Sequence, residues 1–530
     1  MHGFRIDTIR KTKFLFTPIF IGVLFLLTLS VRAQERKRVE ILQADDLIQT
    51  QNIANARRLI GNVIIKHEDI LMYCDSAYTY EGSNRVDAFG HVHVNQGDTL
   101  HLYASKIFYD GDKSFSQAIS DVVLKNKEVT LYTDTLDYDM KQRIGYYDCG
   151  GKIVDSTNTL TSILGKYYLD QDLAHFTDSV VGFSKDYTLT SEDLQYNTTT
   201  KIVYFKGPTT IQDSTNTLYA EDGWYNTETG AADLQKTPSI SNEDQLIRAQ
   251  KLLYDKETGD GEASGDVFIE DYKNRSIVRG NKVIYNEKSK IATVTDSAMF
   301  VSYSDTDSLF LHADTLRTLP DTIQDEKIIQ AYYGVRFYRK DVQGICDSLL
   351  YFTKDSLVQL FYTPVLWSEM HQLTADQIDL LQHSNAPDEL HLFKNSFIVS
   401  ELDSGRYDQI KGKNMTGYVI NNELNYIDVD GNGQTLYYAR EEYSIIGINR
   451  AESSNITIRF NEGKIHRIIF DKQPEGELKP MFELNENDKF LSDFKWYGNS
   501  RPVSQYDIFR NPKAAKVSSD NTSEMDAIEQ

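Results

Sequence analysis

Ten prolines and three cysteines are spread over 530 residues. So little proline removes the commonest interruption to backbone pairing and leaves long strands available to the chain. Cys74, Cys149 and Cys346 are too few, and odd in number, for a disulfide framework. They allow at most one bridge and otherwise read as small packed side chains. The chain also lacks a Cys-x-x-Cys pair, a phosphate loop and a Gly-x-Ser-x-Gly motif, so the common signatures of redox, nucleotide and acyl-transfer chemistry are missing. Helical periodicity is scarce, with "LTADQIDLLQ" (373–382) the best imitation. Positive charge is in deficit: the net charge of −22 gives no electrostatic reason to bind nucleic acid or an anionic membrane surface.

Only one long apolar run exists, Phe14 to Leu29, behind the basic residues Arg5, Arg10, Lys11 and Lys13. It is short for a membrane span, contains Pro18 and Gly22, and ends at Val31-Arg32-Ala33. That pattern predicts a signal peptide over residues 1–33, cleaved after Ala33, and a soluble exported protein. No cysteine lies at the cleavage point, which argues against a lipid anchor.

What the chain does have is aromatic and β-branched side chains, including 33 Tyr and 25 Phe, and a repeat. An apolar residue, a small residue two on and a tyrosine five further recur every 29 residues. Leu102, Ala104 and Tyr109 are one copy; Leu131, Thr133 and Tyr138, then Leu160, Ser162 and Tyr167, are the next two. Leu189, Ser191 and Tyr196, then Leu218, Ala220 and Tyr225, then Ile247, Ala249 and Tyr254 continue the register. Runs such as "GNVIIK" (61–66), "GHVHVN" (90–95) and "GDVFIED" (265–271) alternate with period two, the mark of half-buried strands. Each repeat therefore reads as two or three strands of about five to eight residues. The expected organisation is a regular β array over 34–300, a looser one over 301–478, an extension over 479–511 and a polar, disordered tail over 512–530.

The hairpin at 91–103 is expected to pair Val94 with Leu100 and Val92 with Leu102 around a Gln96-Gly97-Asp98 loop, with Gly97 at positive φ. A slip of one residue would turn the apolar row outward, so the choice of face is strongly specified. That register sets His93 opposite His101 on the outer face, with His91 nearby. Three imidazoles can hold zinc, but solvated strand residues are the plainer reading, and no metal site is assigned. "DVDGNGQTLYYA" (428–439) imitates a calcium loop but carries Ala439 where the bidentate Glu belongs, so it reads as a turn between strands. Trp367 reads as core; Trp496 is balanced between core and a partner surface. No catalytic residue and no cofactor is expected.

Taken together, "GNVIIKHEDILMYCDSAYTY", the recurrent L-x-A-x-x-L-x-Y blocks, "GDVFIEDYKNRSIVRGNKVIY" and "YTPVLWSEMHQLTADQIDL" resemble the OstA-like, LptA-like proteins of lipopolysaccharide transport, over roughly residues 39 to 470. The resemblance implies an all-β fold: repetitive antiparallel strands in an elongated, partly open β-jelly-roll, in one or two consecutive segments. It implies a non-enzymatic periplasmic bridge that holds the lipid A part of lipopolysaccharide in an apolar groove. It further implies stacking on other transport proteins, or on itself, through edge strands. The groove lining it carries over is Val63, Ile65, Leu71, Val92, Val94, Leu100, Leu102, Val122, Leu124 and Leu131. Two features depart from the family: the chain is much longer than the single-domain bridge, and the part from about residue 479 has no counterpart there. An outer-membrane β-barrel and a polysaccharide-binding or -cleaving β-solenoid are the competing readings. The first needs strands of about ten residues with aromatic girdles; the second needs carboxylates, not tyrosines, aligned in successive repeats.

Overall fold

Period-two alternation becomes strand throughout. The computed structural model has 40 β-strands, each antiparallel to its neighbours, with short 3-10 turns and no α-helix among the described residues. The structure describes residues 38–510 except 50–54, 306, 322–325, 384–385, 404, 421–422, 442–443 and 462–463. The expected signal peptide over 1–33 and the tail over 512–530 lie outside the described residues.

Many strands are longer than expected, because what reads as a chain reversal is a bend. Ala56–His67 pairs with Ile70–Tyr80, but the register jumps between Ile60 and Val63. There Gly61 and Asn62 adopt φ of 76° and 48°. Such a bulge inserts unpaired residues and folds the strand over. The same break recurs at Gly90-His91, Ser120-Asp121, Asp178-Ser179 and Gly265-Asp266. The Gly or Ser before each apolar run is therefore a fold line. "DVDGNGQ" is another: it lies inside the strand Glu423–Glu441, bulged between Asp430 and Gly433, and is neither a calcium loop nor an inter-strand turn.

Successive bends line up into a crease joining two sheets. The leaf that carries the repeat tyrosines is here the tyrosine leaf, and the other is the facing leaf. Sixteen of the 40 strands cross the crease and serve both leaves, while the other 24 serve one, which gives 28 rungs per leaf. At about 4.8 Å per rung the array is on the order of 130 Å long. Pairing continues unbroken past residue 300, where the repeat loosens. The array does not close on itself: Glu40–Gln43 and Asp46–Gln49 form one end, Lys464–Asp471 and Glu475–Pro480 the other.

The repeated trio now has a mechanical meaning. Leu102 points between the leaves, Ala104 sits inside the crease where they converge, and Tyr109, beyond the bend, reaches the lip of the opposite leaf. Convergence leaves room only for small side chains at some inner positions. At Gly165 a Cβ would stand 2.2 Å from the Tyr147 hydroxyl oxygen.

Residues 481–510 leave the last strand and run back over the outer surface of the facing leaf as a strap. Buried glutamines on that surface hold it. Gln409 donates to Lys489 O at 2.9 Å and accepts from Leu491 N at 2.8 Å. Gln372 does the same with Lys495 O and Tyr497 N, at 2.8 and 2.7 Å. Gln343 accepts from Arg501 Nε, and Arg336 donates to Ser500 O. Leu491, Phe494 and Trp496 cover Phe397, Val399, Leu436, Tyr438 and Ile448. Trp496 thus packs within the chain, its ring 5.2 Å from Tyr407. Trp367, buried as expected, lies on this outer surface between Gln343 and Gln372.

Candidate functional site: the trough between the leaves

The inward side chains of both leaves form one apolar interior along the array. Of the ten residues assigned to it from sequence, Val63, Ile65, Val92, Leu100, Leu102, Val122, Leu124 and Leu131 are buried there, and Val94 is half-buried against them. Leu71 is not inside. Its strand begins at Ile70, directly after the Glu68-Asp69 turn, so Ile70 and Met72 take the inner positions and Leu71 faces out. The 91–103 hairpin is also corrected: Val94 pairs with Leu102 and Val92 with Ala104, around Gly97-Asp98-Thr99. A shift of two keeps the same face inward, which is why the other assignments survive it. Gly97 has the expected positive φ, 67°.

In these repeats the trough is packed. The cavity bounded by Val94, Leu100, Leu102, Leu124, Tyr109 and Tyr138 has about 20 Å³ of free volume, room for a single water and not for an acyl chain.

Its mouth is bridged, and the bridging groups are the repeat tyrosines. Tyr109 on one lip meets His67 on the other through its hydroxyl and an edge-on ring contact. Asn126 donates to the Tyr167 hydroxyl at 3.1 Å. Tyr196 donates to Asp155 at 2.6 Å and accepts from Asn158 at 2.9 Å. Two ion pairs cross the same gap, Lys127–Asp172 at 2.9 Å and Lys201–Asp155 at 2.7 Å. Burial works to raise the Asp155 carboxyl, but hydrogen bonds from Lys201, Tyr196 and the N–H groups of Thr157 and Asn158 outweigh it and hold it below the ordinary carboxylate range. Burial pushes Tyr138 up to about 12 and raises Tyr109, Tyr167 and Tyr196 as well, so all four hydroxyls stay protonated at physiological pH; that of Tyr138 is buried without a hydrogen-bond partner and makes no bridge. Sequence reasoning found these tyrosines as a register mark and missed their role, because their lip partners lie about 41 residues away in the chain.

The three imidazoles do not assemble. His91 sits at the crease with φ 44° and pairs with Asp75 at 2.8 Å. His93 pairs in register with Tyr103, not His101, and stacks between Tyr73 and Tyr103, with His101 3.2 Å away. Cys74 and Cys346 are buried and Cys149 is exposed, each unbridged. Burial pushes the Cys74 thiol up to about 11.

Against known proteins, residues 36–192 and 183–250 match the OstA-like protein family. Among solved structures, that of LptH, the LptA-homologous periplasmic component of the lipopolysaccharide transport device of Pseudomonas aeruginosa, matches at 15% identity with a TM-score of 0.19, over 21% of this chain and 80% of that one. A search of curated proteins found no match. The OstA-like match thus falls on residues 36–250, where the tyrosine register is strictest.

Proposed function

We propose that this protein is a periplasmic component of lipopolysaccharide transport that shelters the acyl chains of lipid A between its two leaves and has no catalytic step. The observation that carries the reading is a single apolar interior running from Leu59 to Phe460, lined from both leaves. Val63, Ile65, Val92, Val94, Leu100, Leu102, Val122, Leu124 and Leu131 are its narrow part, which must part at the mouth to admit a chain.

Partners join at the ends. Both terminal strands at the first end are solvent-exposed, with Ile41, Leu42, Leu47 and Ile48 uncovered. A bare, apolar edge is a template for another strand. Other transport proteins, or a second copy, extend the array there.

Native mass spectrometry of the exported protein tests the cargo: co-purified glycolipid is expected, and a lipid-free protein that takes up none from lipopolysaccharide micelles refutes the reading. Leu47→Pro tests the edge. It should abolish end-to-end assembly while far repeats keep their hydrogen-exchange protection; unchanged assembly would show that partners bind elsewhere.

A further inference from the structure

One register position, followed along the chain, changes character. Leu131, Leu160 and Leu189 are 0%, 4% and 2% exposed. The next three, Leu218, Ile247 and Val278, are only partly buried. The inner residues of the neighbouring facing-leaf rungs, Ile240, Ile269 and Phe300, are also partly buried. Residues nearer the crease remain buried: Ala220, Ala249, Val267 and Ala298. The leaves therefore stay joined at the bottom and separate at the top.

The bridges stop at the same place. The last of the run are Asn158 to Thr227 at 3.3 Å and the edge-on contact of Tyr187 with Tyr225 at 6.1 Å. The next tyrosine, Tyr254, turns along its own lip and donates to Glu287 at 2.6 Å. The equivalent of its opposite-lip partner, Asp213, is engaged by Thr215 and Asn216 in its own turn. Among the described residues from Ala232 to Tyr303, no hydrogen bond or ion pair joins the two lips.

We propose that this open stretch, lined by Leu218, Ile240, Ile247, Ile269, Val278 and Phe300, is where an acyl amphiphile enters and is held, and that the bridged repeats before it open only as their tyrosine contacts part. The proposal rests on the carrier reading above and adds to it the place and the order of loading. Seven facing-leaf rungs between Thr217 and His312 make the slot roughly 30 Å long. A bilayer's hydrocarbon core is ~30 Å for two leaflets, so one leaflet's chains fit lengthwise.

The slot selects hydrocarbon over peptide. Each rung's backbone groups pair laterally within its leaf, so an inserted peptide would bury its own N–H and C=O groups unpaired. The lips carry Lys256, Glu257, Lys273, Arg275, Glu287 and Lys288, so a polar head group is retained at the mouth while the tails lie inside.

The test places a benzophenone crosslinker at Ile247 or at its register equivalent Leu131 in the full-length exported protein, with cis-parinaric acid and purified lipopolysaccharide as probes. Labelling from Ile247 should exceed that from Leu131 by tenfold or more. Asp155→Ala, which breaks a bridge, should raise labelling from Leu160 several-fold and leave Ile247 unchanged. Ile247→Asp, at a partly buried position, should keep the wild-type circular dichroism spectrum and lower probe binding at least tenfold. Equal labelling at Ile247 and Leu131, or unaltered binding by Ile247→Asp, overturns the loading site while the carrier reading stands. Absence of any probe binding overturns both.

Discussion

Asp155 is the hub of the bridged mouth, so removing it has the largest calculable effect. Its side chain is 1% exposed and accepts from Tyr196, Lys201 and the N–H groups of Thr157 and Asn158. Taking one partner from a buried ion pair costs about 3–5 kcal/mol. Lys201 is 17% exposed and can turn to water, which puts Asp155→Ala at the lower end, about 3 kcal/mol. Asp155→Asn keeps the turn and loses only the charge, at about 1–2 kcal/mol. A long array does not unfold in one step, so the assay is hydrogen exchange in peptides spanning 151–162 and 188–205. About 3 kcal/mol corresponds to more than a hundredfold faster opening. The pH dependence has a definite sign. A depressed carboxyl stabilises fully above its unfolded value of about 3.9, and that contribution is lost as pH falls through the lower folded value. Wild-type protection at the lips should therefore decay below pH ~4, and Asp155→Asn should show no such decay. Exchange in Asp155→Ala within threefold of wild type would refute the idea that these contacts hold the mouth shut.

Three further outcomes are expected. Asp408, buried one residue before the strap-holding Gln409 and on the opposite face of its strand, accepts from Tyr438 N at 2.9 Å, and burial pushes its carboxyl up to about 6. Because that is above the unfolded value, its stabilising contribution is complete below pH ~4 and lost as pH rises through about 6. Asp408→Asn should gain roughly 3 kcal/mol at pH 8 and nothing at pH 4, read as denaturant midpoints; equal effects at both pH values would contradict this. Gln372→Ala or Gln409→Ala leaves a strap donor and acceptor unpaired, at about 1–3 kcal/mol each, and should speed tryptic cleavage at Lys489 or Lys495 tenfold or more. Gly165→Ala should lower stability by about 1–3 kcal/mol because its Cβ meets Tyr147, and an unchanged melting temperature would show that the crease yields.

Much of the fold was legible from local pattern. Period-two alternation at Val63, Ile65, Val92 and Val94 identifies strands and their inner face, because neighbouring side chains must point to opposite sides. Leu71 went astray because the resemblance does not fix where its strand starts: the turn is only Glu68-Asp69, so Ile70 and Met72 take the inner positions. The crease was not legible: Gly61-Asn62 looks the same whether the chain reverses or bends, and only pairing across several strands separates the two. The strap was equally hidden, since Gln343, Gln372 and Gln409 look like ordinary outward strand residues until a segment from far along the chain covers them.

The sequence by itself determined that the chain is a β repeat, which face of each strand is apolar, and where tyrosine recurs, since these follow from spacing within a few dozen residues. Only the tertiary structure decided whether that apolar face closes or stays open. The closing contacts join lips some 40 residues apart in the chain, and their presence at Tyr196 and absence at Tyr254 depend on how the two leaves meet across the mouth.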